Sequence, residues 1–285
     1  AQIAGTHTTV QGADVTVSGQ GNNLKVNNAD TGLTDLGYKS ADGVNNVFTP
    51  KVSTTTITLK GNDSLKAVTV DGAGHVVLLD NAANTKLATI DANTLTGNLT
   101  LDLSAHNGVA VTVTGGKGND VLTASQGVNS KADVLVGGEG NDTLNAGSNG
   151  AKLTGGAGND LFVLTAGTKE VNTYTSIQDF QAGDVLELNV IGGGNVTAFN
   201  KLTAVLNENT SVFSNFVDAA IQQATTGQAV WFQFKGNAYV VVDNVETGGA
   251  SADVFQNGQD AVIELVGIDL ANASYNSAHG TIALI

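Results

Sequence analysis

Three stretches of the chain repeat one arrangement of residues able to hold a cation: Gly115-Gly116-Lys117-Gly118-Asn119-Asp120-Val121-Leu122-Thr123, Gly137-Gly138-Glu139-Gly140-Asn141-Asp142-Thr143-Leu144-Asn145 and Gly155-Gly156-Ala157-Gly158-Asn159-Asp160-Leu161-Phe162-Val163. In each, an aspartate follows a Gly-Gly-x-Gly run and precedes an apolar residue by two places. A carboxylate is a hard oxygen donor, and such donors suit a hard cation such as calcium. The chain has no cysteine, which removes disulfides, zinc thiolate sites and cysteine nucleophiles together. His7, His75, His106 and His279 form no HExxH, and neither a G-x-S-x-G elbow nor a complete GxGxxG or Walker sequence occurs. No catalytic constellation is legible, and the chain is not expected to be an enzyme.

Composition narrows the partners. Lys plus Arg number 12 against 26 Asp plus Glu, a net charge of −14 over 285 residues. That balance repels a phosphate backbone and anionic membrane surfaces, so no nucleic acid partner is expected. No apolar run approaches the roughly 18 residues that a spanning helix requires. The chain begins at Ala1 without an initiator methionine, which predicts a processed product or an excised portion of something longer. It lacks the basic and apolar segments of a secretory signal peptide, so export by the ordinary route is not expected to be encoded here. Apolar residues are 41% but aromatics only 5%, so the core must be built from Val, Leu, Ile and Ala, a composition that favours strands.

The elements that would carry the aspartates follow from the spacing. Stepping by nine gives an apolar ladder of Leu135, Leu144, Leu153 and Phe162, with Leu122 joining after a four-residue insertion near Ala124 to Gly127. A repeat of this kind signals a parallel β-solenoid. Two nonapeptides make one coil, so Asp142 and Asp160 stack at the strand spacing, and Asp120 joins them if the insertion bulges outward. Wider rungs are expected upstream, with Val68 and Val70, Val77 and Leu79, Ala88 and Ile90, and Leu99 and Leu101 pointing inward. There Asp71, Asp80, Asp91 and Asp102 read as turn residues, as does Asp63 in the lone Gly61-Asn62-Asp63. On the opposite row Asp133 is followed by Ala151, so at most a partial cation site could form. Asn119, Asn141 and Asn159 align beside Lys117, Glu139 and Ala157, too irregular a surface for matching to ice.

Three regions are expected: a β-rich segment 1–50 ending near Pro50, the solenoid over 51–175, and a β-rich cap over 176–285. In the cap, Phe213, Phe216, Val217, Ala220, Ile221 and Ala224 have helical spacing with Ser214 as N-cap. Val230 to Phe234 and Ala238 to Val242 read as a hairpin around Lys235-Gly236-Asn237.

The three nonapeptides resemble the RTX calcium β-roll of proteins exported by type I secretion. Ser176 to Leu188 is similar to the segment that closes the solenoid in that family. The stretch from Trp231 to Leu265 is similar to the C-terminal region of RTX surface-layer proteins. The resemblance implies an all-β calcium β-roll over 115–163 with one Ca2+ between adjacent turns. The ligands it implies are Asp120, Asp142 and Asp160 with backbone groups of Gly115, Lys117, Gly118, Gly137, Glu139, Gly140, Gly155, Ala157 and Gly158, together with Asp179 in the closing segment. Asp184, Asp243 and Asp260 also stand near turns of family-like segments. It further implies a structural surface-layer protein at the bacterial cell surface, exported by a type I apparatus and assembling with copies of itself. The alternative is the calcium-folded secretion module of an exported RTX adhesin or extracellular enzyme.

Overall fold

A strand with one buried face needs apolar residues at every second place, and short runs of that kind recur along the chain. The computed structural model describes residues 2–3, 7–10, 16–20, 23–28, 36–41, 45–50, 55–59, 66–80, 82–127, 131–164, 171, 173–188, 195–244 and 254–285, with side chains from Leu59 onward. Gly61 to Asp63 lie outside the described residues. The fold is all-β, a parallel β-solenoid with a β-rich C-terminal region that contains one short helix. Contacts divide the chain into two units, Ala1–Leu144 with Gly156–Gly158, and Asn145–Gly155 with Asn159–Ile285.

The first unit is built from β1 (Gln2–Ile3), β2 (His7–Val10), β3 (Thr16–Gln20), β4 (Asn23–Asn28), β5 (Leu36–Ala41), β6 (Asn45–Pro50), β7 (Thr55–Leu59), β8 (Ala67–Gly72), β9 (Val76–Leu79), β10 (Thr89–Leu95), β11 (Leu99–Asp102), β12 (Thr112–Thr114), β13 (Val121–Thr123) and β14 (Asp133–Glu139). Odd-numbered strands pair in parallel with odd, and even with even. Each connection therefore passes from one sheet to the other. Ala67 faces Thr89, an offset of about 22 residues per coil. The runs Val70-Asp71, Leu79-Asp80, Ile90-Asp91 and Leu101-Asp102 lie on β8, β9, β10 and β11 and so alternate between the two sheets.

The inward residues form a dry column in which Leu101 sits on Leu122 and Val113 on Leu135. Burying each such side chain stabilises by about 1.5–3 kcal/mol. Val68, Val70, Ile90, Leu99 and Leu101 are inside as expected, together with Ala92 and Leu95. In β9 the phase is reversed: Val76 and Leu78 are buried while Val77 and Leu79 are half-buried. Four consecutive apolar residues carry no alternation, so their sequence cannot set the phase. Ala88 is half-buried and precedes β10. Pro50, where a boundary is expected, is the last residue of β6, which pairs with both β4 and β8. Proline lacks an N–H and is tolerated at such a strand end.

The chain continues with β15 (Thr143–Ala146), β16 (Ala151–Ala157), β17 (Leu161–Leu164), β18 (Thr175–Ile177), β19 (Val185–Leu188), β20 (Phe199–Lys201), α1 (Phe213–Gln223), β21 (Gln228–Phe234), β22 (Asn237–Asp243), β23 (Ala261–Leu265), β24 (Ala273–Asn276) and β25 (Thr281–Leu284). Two parallel steps persist, β16 to β18 and β17 to β19. Parallel pairing of β18 with β23 follows, then an antiparallel β23-β22-β21 ribbon. The last strand, β25, is internal, lying antiparallel between β19 and β24 with Ile282 buried.

Here the chain spends its aromatic residues. Phe216, Val217, Ala220 and Ile221 of α1 pack on Val230, Phe232, Phe234, Tyr239 and Val241 of the hairpin. The hairpin is as expected, closed by the two residues Lys235 and Gly236 with φ of 50° and 85°, the pattern of a type I′ turn. The N-cap is Val212 rather than Ser214, which lies inside the helix. Asn215 explains the shift, because its Oδ1 accepts the Val212 N–H at 3.0 Å, a reach from the third helical place back to the cap.

Two glycines with positive φ separate backbone strain from steric closure. Gly236 has nothing within 4 Å of a would-be Cβ, whereas at Gly138, φ 124°, a Cβ would overlap the Gly116 carbonyl of the preceding coil. Gly236→Ala should cost about 1 kcal/mol in its unit. Gly138→Ala should cost at least about 3 kcal/mol, since strain and overlap add. Urea unfolding at fixed calcium checks both, and equal losses would contradict the close approach of coils at Gly138.

Candidate metal site

The Gly-rich turns lead from the even-numbered sheet back to the odd one. The turn between β12 and β13 ends at Asp120, which is 1% exposed. Thr100 pairs with Val121, so Asp120 stands over Leu99 of the preceding coil. Its Oδ1 accepts the Leu99 N–H at 2.6 Å and its Oδ2 the Gly116 N–H at 2.6 Å. One coil later the relation recurs: Asp142 Oδ1 accepts the Asp120 N–H at 2.7 Å, and Asp120 O accepts the Thr143 N–H at 2.8 Å. It recurs in the second unit, where Asp184 Oδ1 accepts the Asp160 N–H at 2.9 Å and Oδ2 the Gln181 N–H at 2.9 Å. Each carboxylate thus reaches back to the main chain at the sixth place of the preceding coil. The insertion after Leu122 does not break this relation between Asp120 and Asp142.

Just outside runs a second ladder. Asn98 Oδ1 accepts the Asn119 N–H at 3.1 Å, and Asn119 Oδ1 the Asn141 N–H at 2.8 Å. Lys117 and Glu139 also meet across coils, Nζ to Oε1 at 2.7 Å, but both are half exposed and the pair contributes little. Their side chains stay in solvent, so only their backbone could serve a site in the row.

Burial pushes the Asp120 carboxyl up to about 6, against the opposing pull of the Gly116 and Leu99 N–H groups. Asp184 is raised too, first by burial, with the Asp160 and Gln181 N–H groups opposing and the charge of Asp179 adding. Two or more hydrogen bonds do not offset the loss of water around these charges, whereas a cation would.

The residues fit calcium. A Cβ on Gly115 would overlap both the Gly137 carbonyl and Asp120 Oδ2, and a Cβ on Gly155 would overlap Asp160 Oδ2. Carbonyl and carboxylate oxygens therefore crowd the face that the glycines leave bare. All are hard donors, of the kind calcium gathers in sixes to eights. Among the described residues no three carboxylate or imidazole side chains gather around one point.

The row has a definite start. In the two coils before Asp120 the corresponding places are Leu99 and Val76, both buried, and there apolar packing seals the turn. In the second unit the aspartate that continues the relation is Asp184, without a Gly-Gly-x-Gly run. Its signal is the pairing of Leu161 with Val185, which puts Asp184 beside Asp160. Asp179, the residue favoured from sequence, is half-buried in the turn between β18 and β19 and accepts the Gly155 N–H at 2.9 Å. Asp133 is a turn clamp, with Oδ1 on the Val111 N–H at 2.8 Å and Oδ2 on the Ser125 N–H at 2.8 Å and hydroxyl at 2.6 Å. Asp91 and Asp102 accept N–H groups two residues on, the turn role expected of them. In the cap, Asp260 ties Asn244 to Gln256 through their N–H groups.

Residues 112–130, 128–162 and 152–168 match a protein family described as the RTX calcium-binding nonapeptide repeat (4 copies). None of the curated proteins matches the chain. The chain carries RTX calcium-binding repeats, and they form part of a β-solenoid.

Deleting one acceptor should mark a specific donor. Asp142→Ala leaves the Asp120 N–H without its carboxylate, and Asp120→Ala does the same to Leu99 and Gly116. Leaving a buried donor unsatisfied costs about 1–3 kcal/mol. Amide exchange in calcium should show protection falling about tenfold or more at those amides, each variant at its own; loss spread evenly over the coil would refute the assignment.

Proposed function

We propose that the chain is the calcium-folded, lattice-forming part of a bacterial surface layer, exported by a type I apparatus and assembled from like copies outside the cell. The observation that carries this reading is the length of the solenoid. Parallel ladders run from Gln2 through β13 and β14 in the same two sheets, so the first calcium repeat continues a solenoid that begins well upstream of it. A solenoid of repeated coils suits a scaffold. Its open-ended contacts with other copies can extend without closing into a ring.

Calcium in this reading is held by the carboxylates of Asp120 and Asp142 with backbone carbonyls of Gly115, Lys117, Gly118, Gly137, Glu139 and Gly140. Asp160 acts with the backbone of Gly155. When bound, it neutralises carboxylates that burial otherwise penalises, and it bridges acidic surfaces that a net charge of −14 keeps apart. Extracellular calcium modules bind at roughly 0.1–1 mM. Calcium at a hundredfold its dissociation constant stabilises by about 2.7 kcal/mol per site. A calcium-poor cytosol would leave the glycine-rich coils unfolded for threading, and external calcium would fold them.

A second reading is the calcium-folded secretion module of an RTX adhesin or extracellular enzyme. The family match favours it in one respect, being confined to 112–168 and to a repeat that secreted RTX proteins share.

Circular dichroism and electron microscopy of the purified chain at rising calcium test the proposal. β content should rise between chelator and millimolar calcium, and ordered sheets should form as it does. Unchanged β content would remove the calcium-folding step. A calcium-folded monomer at high protein concentration would favour the second reading.

A further inference from the structure

The turns on the other side of the first unit hold a second buried ionisable cluster. Asp80, in the turn after β9, and His106, in the turn after β11, have fully buried side chains with Nδ1 2.8 Å from Oδ2. The remaining Asp80 oxygen accepts the Asn84 Nδ2–H at 2.6 Å. The other ring nitrogen, Nε2, lies 3.0 Å from the Val109 carbonyl oxygen. The next coil brings Asp133, whose charge also acts on His106. The other charged side chains on these turns, Lys86 and Lys131, are exposed, and Asp102 is engaged by the Ser104 N–H.

Both imidazole nitrogens face oxygens. A carbonyl can only accept, so Nε2 must carry a proton. A neutral ring then turns a lone pair on Nδ1 toward the Asp80 carboxylate, whereas a ring with two N–H groups satisfies both contacts. We propose that His106 is held as an imidazolium by Asp80, a proton-operated clasp that joins two successive coils and loosens as the proton leaves.

The electrostatics agree with the geometry. Burial alone pulls the His106 value down, but the hydrogen bond and charge of Asp80, the Val109 carbonyl and the charge of Asp133 raise it above the ordinary 6.5. Since the folded value exceeds the unfolded one, the stabilisation is complete below the unfolded value and is lost as pH rises through the folded one. This clasp responds to pH through residues that take no part in the aspartate row, so it stands independently of the calcium reading.

Nitrogen-15 correlation spectra of the histidine rings, recorded on the full chain in millimolar calcium, test it. At pH 7 both His106 nitrogens should carry protons at imidazolium shifts, with His106→Gln removing those signals and so assigning them. Amide protection at Leu103 and Val109, corrected for intrinsic rates, should fall by up to about tenfold per pH unit above 6.5 until the folded value is passed. Asp80→Asn should turn His106 neutral at pH 7 and flatten that profile, and it supplies the assignment if His106→Gln does not fold. A single ring N–H at pH 7 in the unaltered chain, meaning a neutral pair with the proton on Asp80 or another tautomer, overturns the proposal, as does a flat profile.

Discussion

A coil that turns back on itself every 22 residues or so must find acceptors for main-chain N–H groups that water cannot reach, and this need governs the turns. Between the sheets the ladders satisfy the backbone, but the sixth place of each Gly-rich turn leaves an inward N–H. A carboxylate from the following coil answers it, as Asp120 does for Leu99, Asp142 for Asp120 and Asp184 for Asp160. An unsatisfied buried donor costs as much as a typical hydrogen bond contributes or more. The aspartates are therefore structural whether or not a cation is near. Their glycines are equally constrained, because coils that approach this closely leave no room for a Cβ at Gly115 or Gly138.

The same solution brings charge into the interior, and the first unit deals with it differently along its length. Before Asp120 the sixth place is Leu99 or Val76, and no charge is buried there. On the opposite turns, Asp80 is matched by His106, a group already on the chain. From Asp120 onward the carboxylates outnumber any side-chain cation beside them, and burial raises Asp120 to about 6. That shortfall is what an external divalent ion is suited to fill.

The repeats and their apolar ladder were legible because glycine spacing and a periodic apolar residue are local signals; Leu122, Leu135, Leu144, Leu153 and Phe162 are all inside. The helix and hairpin of the cap were legible for the same reason. What sequence could not fix was set by register. Val76-Val77-Leu78-Leu79 is apolar throughout, so only pairing with β11 decides which side chains enter. Asp184 has no Gly-Gly-x-Gly run before it and is placed beside Asp160 by the pairing of Leu161 with Val185, while Asp179, earlier in the same turn, reaches the Gly155 N–H. Ser214 is a good cap by type, yet Asn215 reaches the Val212 N–H and moves the helix start.

The clamp of Asp133 on Ser125 has a consequence for how such a chain can change. Both the N–H and the hydroxyl of Ser125 close on one carboxylate oxygen, so the ends of the intervening segment are tied together before the ladder resumes at β14. The coils on either side register through Leu122, Val113 and Leu135, none of which lies within it. Lengthening a loop with fixed ends costs only about 0.6 kcal/mol per doubling. Extra sequence can therefore be accepted between Ser125 and Asp133 without shifting a single rung, making that connection a place where a periodic solenoid can acquire an aperiodic decoration.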